Sequence, residues 1–175
     1  MRLRITGGEF GSRLINGAAT LRPGTDKVRK AIFDILGEVI VGASFVDLFA
    51  GSGAVGIEAL SRGAARAIFV EKDLAHYNLI KKNLDSLGIA SDQAAVRLMT
   101  VEDFVQANAT PYDIVFADPW YDDALGVVGW EDLLKPSGIL IIEHRDNTTP
   151  PENPQLRVIN HKRYGDTAIT FYSRA

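Results

Sequence analysis

The chain has 175 residues, of which 46% are hydrophobic, 23% are charged and none is cysteine. This length is that of one domain with a substantial core, and the lack of cysteine excludes disulfides, thiolate metal sites and cysteine nucleophiles. No apolar signal segment follows the first four residues and the longest apolar runs, such as Ile139–Ile142, have the length of a strand, so we expect a cytoplasmic protein without membrane contact.

Charge is distributed unevenly along the chain. Residues 1–30 carry seven basic and two acidic side chains, whereas the other 145 residues carry 12 basic and 20 acidic ones. A basic N-terminal arm on an acidic body can present a local positive patch to phosphates without a general affinity for nucleic acid.

The first 43 residues predict a small β-hairpin and a helix. Leu3 and Ile5 alternate with polar residues, the pair Gly7-Gly8 marks a turn, and a second short run passes through Leu14 and Ile15. Thr25 or Asp26 can then cap a helix; its apolar stripe consists of Val28, Ile32, Ile35 and Leu36.

From residue 44 onward, strand and helix patterns alternate. The predicted strands cover 45–49, 67–71, 96–99, 112–117 and 139–143, and the clearest helices cover 54–61 and 74–87. After a polar, proline-rich connection at 147–154, runs at 156–161 and 167–172 flank Gly165-Asp166, a hairpin signal.

This order of elements predicts an α/β fold. It is a mostly parallel, Rossmann-like sheet with helices on both faces, closed by a C-terminal antiparallel hairpin and preceded by the N-terminal β-hairpin and helix. We expect a single domain over 1–175, with 1–43 as an extension and 44–175 as the core.

The strongest motif lies between the first core strand and the next helix. Gly51, Gly53 and Gly56 have the spacing of a dinucleotide fingerprint, and Glu71 stands where an acid that binds ribose is expected. These residues alone fit either an NAD-dependent dehydrogenase or another protein that binds an adenosine.

Two acids favour the second interpretation. Asp47, four residues before Gly51, suits a cationic ligand better than the diphosphate of NAD, and S-adenosylmethionine carries an ammonium and a sulfonium. Asp118, in Ala117-Asp118-Pro119-Trp120-Tyr121, follows the fourth core strand, where the same sheet edge presents groups to a bound cofactor.

These motifs resemble those of class I methyltransferases that modify exocyclic or amide nitrogens. Further segments are similar to the bacterial 16S rRNA guanine-N2 methyltransferase family over nearly the whole chain; they include Arg4–Gly8, Leu21–Arg29, Asp47–Ala54, Glu58–Ala64, Phe69–Asp73 and Arg163–Thr167.

The resemblance implies S-adenosylmethionine as cofactor. Glu71 would hold both ribose hydroxyls, Gly51 and Gly53 would lie under the methionine part, Asp47 would lie near its ammonium, and Asp103 would accept from the adenine amino group. The implied cofactor residues are Asp47, Phe49, Gly51, Ser52, Gly53, Glu71, Lys72 and Asp103.

The implied reaction is direct methyl transfer to the exocyclic nitrogen of guanine. Asp118 and the carbonyl of Pro119 would accept hydrogen bonds from that amino group, which localises its lone pair, while Tyr121 would stack on the base. Trp120 stands where the family usually has a second proline, and Gly24 interrupts an Arg-Pro-Thr-Thr-Asp pattern at 22–26. The implied catalytic residues are Asp118, Pro119, Trp120 and Tyr121.

The basic arm would hold phosphates around a flipped or looped-out guanine in 16S rRNA or the small ribosomal subunit. Its members are Arg2, Arg4, Arg13, Arg22, Lys27 and Arg29, with Arg163 as an addition at the rim. His76, His144 and His161 lack the spacing of metal ligands, so we expect no metal, and we expect a monomer.

Three alternatives remain open at this point. A DNA-adenine or protein-glutamine N-methyltransferase shares the acid–proline–aromatic motif, but usually carries an added recognition domain. An NAD-dependent dehydrogenase shares only the glycines and Glu71. A non-catalytic RNA-binding assembly factor would bind RNA without turnover, and Trp120 makes it conceivable.

Overall fold

The computed structural model describes residues 1–17, 25–119, 129–148 and 152–175. The N-terminal hairpin pairs β1 (Arg2–Arg4) with β2 (Leu14–Asn16), and helix α1 (Thr25–Leu36) runs into a 3₁₀ helix (Gly37–Ile40). The other elements, in chain order, are β3 (Ser44–Asp47), α2 (Ala54–Ser61), β4 (Arg66–Glu71), α3 (Leu74–Leu87), β5 (Ala94–Leu98), α4 (Val101–Ala107), β6 (Tyr112–Ala117), a 3₁₀ helix (Trp130–Leu133), β7 (Leu134–Arg145), β8 (Leu156–Tyr164) and β9 (Thr167–Arg174).

Seven strands form one sheet in the order β5-β4-β3-β6-β7-β9-β8. The five strands from β5 to β7 are parallel neighbours, while β9 is antiparallel to both β7 and β8. The chain leaves β3 towards β4 on one side and later returns to β6 on the other, so the strand order reverses between β3 and β6. Ligands bind at such a reversal in open α/β sheets, outside the carboxyl ends of the strands.

Alternate strand residues face two separate cores. On one face, Phe45 and Phe69 pack with the N-terminal hairpin, α1, α2 and α3. On the other face, Val46 and Ile68 pack with α4 and the 3₁₀ helix at Trp130–Leu133. Because both faces of these strands are buried, their sequences are almost continuously apolar.

The predicted fold class is confirmed, including the C-terminal antiparallel pair and the N-terminal hairpin. Several element bounds differ from the expectation, among them the starts of α1 and β7. Helix α1 begins at Thr25, so Asp26 lies inside its first turn, where it pairs with Arg29 at 2.9 Å. Strand β7 begins at Leu134 rather than Ile139, because Leu134 pairs with Tyr112 before an irregular stretch interrupts the ladder.

The described residues contain no helix that is both long and apolar enough to cross a membrane.

Gly56 allows α2 to lie close to β4. A Cβ atom added at this position would lie 2.3 Å from Cε1 of Phe69, whose side chain is fully buried. A methyl group therefore cannot be added without displacing the ring or the helix that begins at the glycine-rich loop. This is the packing role that the third glycine of such a fingerprint has.

We expect Gly56→Ala to lower the free energy of unfolding by about 1–3 kcal/mol, because the clash with Phe69 outweighs the better helix propensity of alanine. Urea unfolding measures the change. In a Phe69→Leu background the same substitution should cost less, since the ring is gone. An equal cost in both backgrounds would contradict the assigned clash.

Candidate active site at the carboxyl ends of the parallel strands

Strand register brings three of the predicted acids to one edge of the sheet. Asp47, the last residue of β3, pairs with Phe69 of β4 on one side and with Phe116 of β6 on the other. Glu71 and Asp118 each lie two residues further along those neighbouring strands. The three side chains thus stand where the sheet order reverses.

Asp47 is buried, with 1% of its surface exposed. Its Oδ2 accepts a hydrogen bond of 3.2 Å from the N–H of Gly56 in the first turn of α2, and Oδ1 has no hydrogen-bond partner among the described residues. Burial, together with the neighbouring charges of Asp118 and Glu71, raises the pKa of Asp47 to about 7, although the backbone N–H groups of Gly56 and Phe49 oppose the shift. The ionised form is therefore short of positive partners.

The glycine-rich loop is held by side chains from β4 and α3. The N–H of Gly51 donates to Oε2 of Glu71 at 2.8 Å, and the carbonyl of Ser52 accepts from Nδ2 of Asn83 at 2.9 Å. Gly51 has a φ of 54° with open space where a Cβ would lie, and Gly53 has a φ of 79°. Left-handed backbone of this kind lets the loop turn tightly and leaves room beside Gly51 for a ligand.

Glu71 lies at the end of β4 and is partly exposed. Its two oxygens accept from backbone N–H groups, Oε2 from Gly51 and Oε1 from Asp73, each at 2.8 Å. A carboxylate oxygen has two lone pairs, so each keeps capacity for a ligand hydroxyl. The two backbone bonds fix the carboxylate between the glycine-rich loop and the start of α3.

The remaining predicted cofactor residues lie around this loop. Phe49 is half-buried, and its ring centroid is 6.1 Å from that of the buried Trp130; Ser52 is buried, and Lys72 is exposed beside Glu71. Asp103 is exposed in the first turn of α4, which Thr100 caps by accepting from the N–H of Asp103. Its role towards a cofactor stays a prediction.

The structure describes Asp118 and Pro119, the first two residues of the predicted catalytic motif. Both follow β6 directly, Asp118 half-buried and Pro119 buried, and the charge of Asp118 acts on Asp47. Trp120 and Tyr121 lie outside the described residues, so their predicted roles stay predictions.

The predicted role of Arg29 in RNA binding is wrong. Arg29 is only 4% exposed, and its guanidinium pairs with Oε2 of Glu58 at 3.2 Å, with Asp26 at 2.9 Å and with the carbonyl of Arg4 at 2.6 Å. A guanidinium with these partners cannot reach a phosphate. Arg29 instead fastens α1 to the N-terminal strand and to α2.

Of the other predicted RNA-binding residues, Arg2, Arg4, Arg13 and Lys27 are exposed, and Arg22 lies outside the described residues. Arg13 also donates to the carbonyl of Ser86 at 3.0 Å, at the end of α3. Arg163 is exposed and pairs with Asp146 at 2.8 Å.

Sequence reasoning missed Asn83 and Trp130. Asn83 is fully buried, and a signal existed, because it falls three residues after Ile80 and four before Leu87 on the apolar stripe of α3. A polar residue at such a position must be hydrogen-bonded inside the protein. Trp130 gave no comparable signal, since its partner Phe49 is distant in sequence.

The pKa of Asp47 makes stability depend on pH. An unfolded chain releases this proton near the ordinary value of 3.8, whereas the folded chain keeps it until about 7. Between these values the folded state holds the extra proton, so stability falls as pH rises and is constant above pH 7. We expect ligand-free Asp47→Asn to be more stable than the native sequence by about 1–4 kcal/mol at pH 8, with little difference at pH 4.

Urea unfolding at pH 4, 6 and 8 checks this expectation, and Asp113→Asn is the matched control. Burial would raise the pKa of Asp113, but hydrogen bonds from Lys135 and Ser44 hold it below its usual range, so its contribution is lost as pH falls. The two variants should therefore show opposite pH trends. A gain for Asp47→Asn that is the same at every pH would contradict the assignment.

Comparison with known proteins gives consistent results. A family model described as "Conserved hypothetical protein 95" matches residues 3–173. The ribosomal RNA small subunit methyltransferase D of Escherichia coli strain K12 is 33% identical over 181 residues, which cover 99% of this chain and 90% of that protein. The protein of the same name from Haemophilus influenzae is 36% identical over 161 residues, covering 87% of this chain and 82% of that protein.

The fold of a solved structure agrees as well. A structure described as a methyltransferase, yhhF, from Escherichia coli superimposes with a TM-score of 0.89 at 35% identity, covering 99% of this chain and 98% of that one. The chain therefore belongs to the family of the small-subunit ribosomal RNA methyltransferases D, which the model named Conserved hypothetical protein 95 describes.

Proposed function

We propose that this protein transfers a methyl group from S-adenosylmethionine to the exocyclic N2 of a guanine in the 16S rRNA of the small ribosomal subunit. The observation that carries the proposal is the meeting of Asp47, Glu71 and Asp118 at neighbouring strand ends beside the glycine-rich loop. Membership of a family whose relatives are named ribosomal RNA small subunit methyltransferases supports the rRNA substrate. The guanine and its N2 rest on the resemblance of segments along nearly the whole chain to the 16S rRNA guanine-N2 methyltransferase family, and the Asp118-Pro119 motif supports nitrogen as the acceptor.

The residues at the loop fit S-adenosylmethionine in shape and in charge. Glu71 would accept from the ribose hydroxyls, and the open space beside Gly51 would take the methionine part. Asp47 is too deeply buried to touch a ligand directly, but its uncompensated charge favours a cation close by. Asp103 would accept from the adenine amino group. The bound cofactor supplies an electrophilic methyl group on a sulfonium.

On the target side, the protein must make a weak nucleophile reactive. The lone pair of the guanine amino group is delocalised into the ring, so acceptors that draw its protons localise the lone pair on nitrogen. Asp118 would supply a carboxylate acceptor and Pro119 a carbonyl acceptor, while Trp120 and Tyr121 would form the aromatic wall and the stacking ring. After transfer, the surplus proton leaves by way of Asp118 or water.

The N-terminal segment supports an RNA substrate. Arg2, Arg4, Arg13 and Lys27 are exposed, and phosphate contacts from such residues position RNA without reading its sequence. An amino group engaged in base pairing cannot enter a pocket, so the target guanine must be flipped or looped out. The buried Arg29–Glu58 pair joins residues 1–43 to the core, which supports a single domain over 1–175. The protein would act in the cytoplasm as a monomer.

The geometry disfavours an NAD-dependent dehydrogenase. In that class, the diphosphate of the dinucleotide binds at the N-terminus of the helix after the glycine-rich loop. Here Oδ2 of Asp47 already accepts from Gly56 in the first turn of α2, and a second anion beside it would be repelled. Methylation of DNA adenine, methylation of protein glutamine and RNA binding without catalysis are separated by the first experiment below.

The test is transfer of a labelled methyl group from S-adenosylmethionine to small ribosomal subunits that lack their own modifications, followed by nucleoside digestion. We expect N2-methylguanosine from the native chain and a loss of at least 100-fold in rate with Asp118→Ala. Asp85→Ala, which removes an exposed aspartate of α3, is the matched control and should keep the native rate. Parallel reactions offer DNA and cell protein as methyl acceptors. Label in another nucleoside of the subunit, in the DNA or in protein would overturn the guanine assignment, and RNA binding without label would favour the assembly factor.

Cofactor binding can be tested separately from transfer. We expect Glu71→Gln to raise the Kd of S-adenosylhomocysteine at least tenfold, because the amide keeps the volume but replaces an acceptor oxygen with a donor. Isothermal titration measures the change. Glu38→Gln, an exposed glutamate of the first 3₁₀ helix, is the control, and equal affinities for the two variants would refute the role of Glu71.

A further inference from the structure

Asn83 is a buried polar side chain that neither the proposed reaction nor the hydrophobic core accounts for. It lies on the inner face of α3 with 0% of its surface exposed, in line with Ile80 and Leu87. An amide costs free energy when it is moved from water into a protein interior, and hydrogen bonds must compensate it. An apolar residue would serve the packing of α3 without that cost.

The amide of Asn83 makes three hydrogen bonds of 2.9 Å. Its Nδ2 donates to the carbonyl of Ser52 and to the carbonyl of Asn16, and its Oδ1 accepts from the N–H of Asn16. Only one orientation of the amide satisfies the three bonds, because the N–H of Asn16 can only donate and the two carbonyls can only accept. Both amide hydrogens are used.

The two partners of Asn83 belong to different parts of the molecule. Ser52 lies in the glycine-rich loop, next to Gly51, which Glu71 holds. Asn16 is the last residue of β2, at the end of the N-terminal hairpin that carries exposed arginines. A single side chain therefore links the loop of the proposed cofactor site to the segment proposed to bind RNA.

Other links between the hairpin and the core, in the part of the chain that the structure describes, reach α2 and the end of α3. Thr6 bonds to Glu58 in the second turn of α2 through its N–H at 2.9 Å and its hydroxyl at 2.7 Å. Arg13 bonds to the carbonyls of Ser86 and Leu87 at the end of α3. These bonds attach the hairpin to the core without contacting the glycine-rich loop.

We infer that Asn83 is a positioning residue that couples the glycine-rich loop to the N-terminal hairpin, so that cofactor binding and ordering of the hairpin reinforce each other. The inference rests on the proposed function for the identity of the cofactor. A ligand that fixes the glycine-rich loop also fixes the carbonyl of Ser52, and with it the side-chain amide of Asn83. That amide then holds the N–H and the carbonyl of Asn16. Thermodynamic linkage is reciprocal: if the cofactor raises the affinity of the hairpin for RNA by some factor, bound RNA raises the affinity for the cofactor by the same factor.

Two measurements test the coupling, with S-adenosylhomocysteine as the probe. The first is its Kd by isothermal titration, which we expect to rise about 5- to 100-fold in Asn83→Ala, the range of a typical coupling between sites. The matched control is Thr6→Val, which removes the half-buried hydroxyl bond from the same hairpin to Glu58 of α2 and should leave the Kd within about twofold of the native value. Equal weakening in both variants would overturn the inference, because a general loosening of the hairpin would then explain it.

The second measurement is amide hydrogen exchange at residues 14–17, which reports on the coupling without depending on affinity. At saturating S-adenosylhomocysteine we expect exchange at the Asn16 amide to slow in the native chain and in Thr6→Val, but not in Asn83→Ala. The comparison of the native chain with and without the ligand is decisive by itself. If the ligand binds the native chain and leaves exchange at Asn16 unchanged, the coupling is refuted even where Asn83→Ala fails to fold.

Failure of the inference and failure of the proposed function give different results. A native chain that does not bind S-adenosylhomocysteine overturns the proposed cofactor, and the coupling with it. A native chain that binds the ligand, with Asn83→Ala binding equally well, overturns the coupling alone.

Discussion

The site depends on a carboxylate that is buried with too little positive charge around it. Asp47 has one oxygen on the first turn of α2 and the other without a hydrogen bond from the part of the chain that the structure describes, while Glu71 and Asp118 add negative potential from both sides. Such an arrangement disfavours an anionic ligand and favours a cationic one. The side chain of Asp47 thus joins the end of β3 to the start of α2, and its charge favours a cationic cofactor.

A second buried carboxylate holds the N-terminal segment in place. Glu58 is fully buried and accepts from Thr6, Arg29 and Arg62. Although burial alone would raise the pKa of Glu58, the bonds from Thr6 and the two guanidinium groups outweigh it and hold the pKa below its usual range. Glu58 is therefore ionised and compensated by nearby donors, whereas the buried Asp47 has a raised pKa and few compensating donors.

Most of the fold could be predicted from local patterns. The spacing of apolar residues gave β6 at 112–117 and α3 at 74–87 with the same bounds as in the structure, because both depend on short-range periodicity and on caps such as Gly88. The positions of Asp47, Glu71 and Asp118 followed from one rule, that parallel strands end at the same edge. The burial of Arg29 could not be predicted, because its partners Arg4 and Glu58 are brought to it only by the tertiary fold. The same holds for Asn83, whose sequence position indicated a buried amide but not its two partners.

The contacts of the N-terminal hairpin are long-range in sequence, and this constrains how the chain can fold during synthesis. Thr6 meets Glu58 across 52 positions and Asn16 meets Asn83 across 67, so the hairpin cannot reach its native partners until α3 has left the ribosome exit tunnel. The hairpin is synthesised before these partners and therefore lacks its native contacts while the glycine-rich loop and its supporting helices are still being made. The basic surface proposed to bind RNA can therefore form only after α2 and α3, which flank or support the glycine-rich loop, have been synthesised.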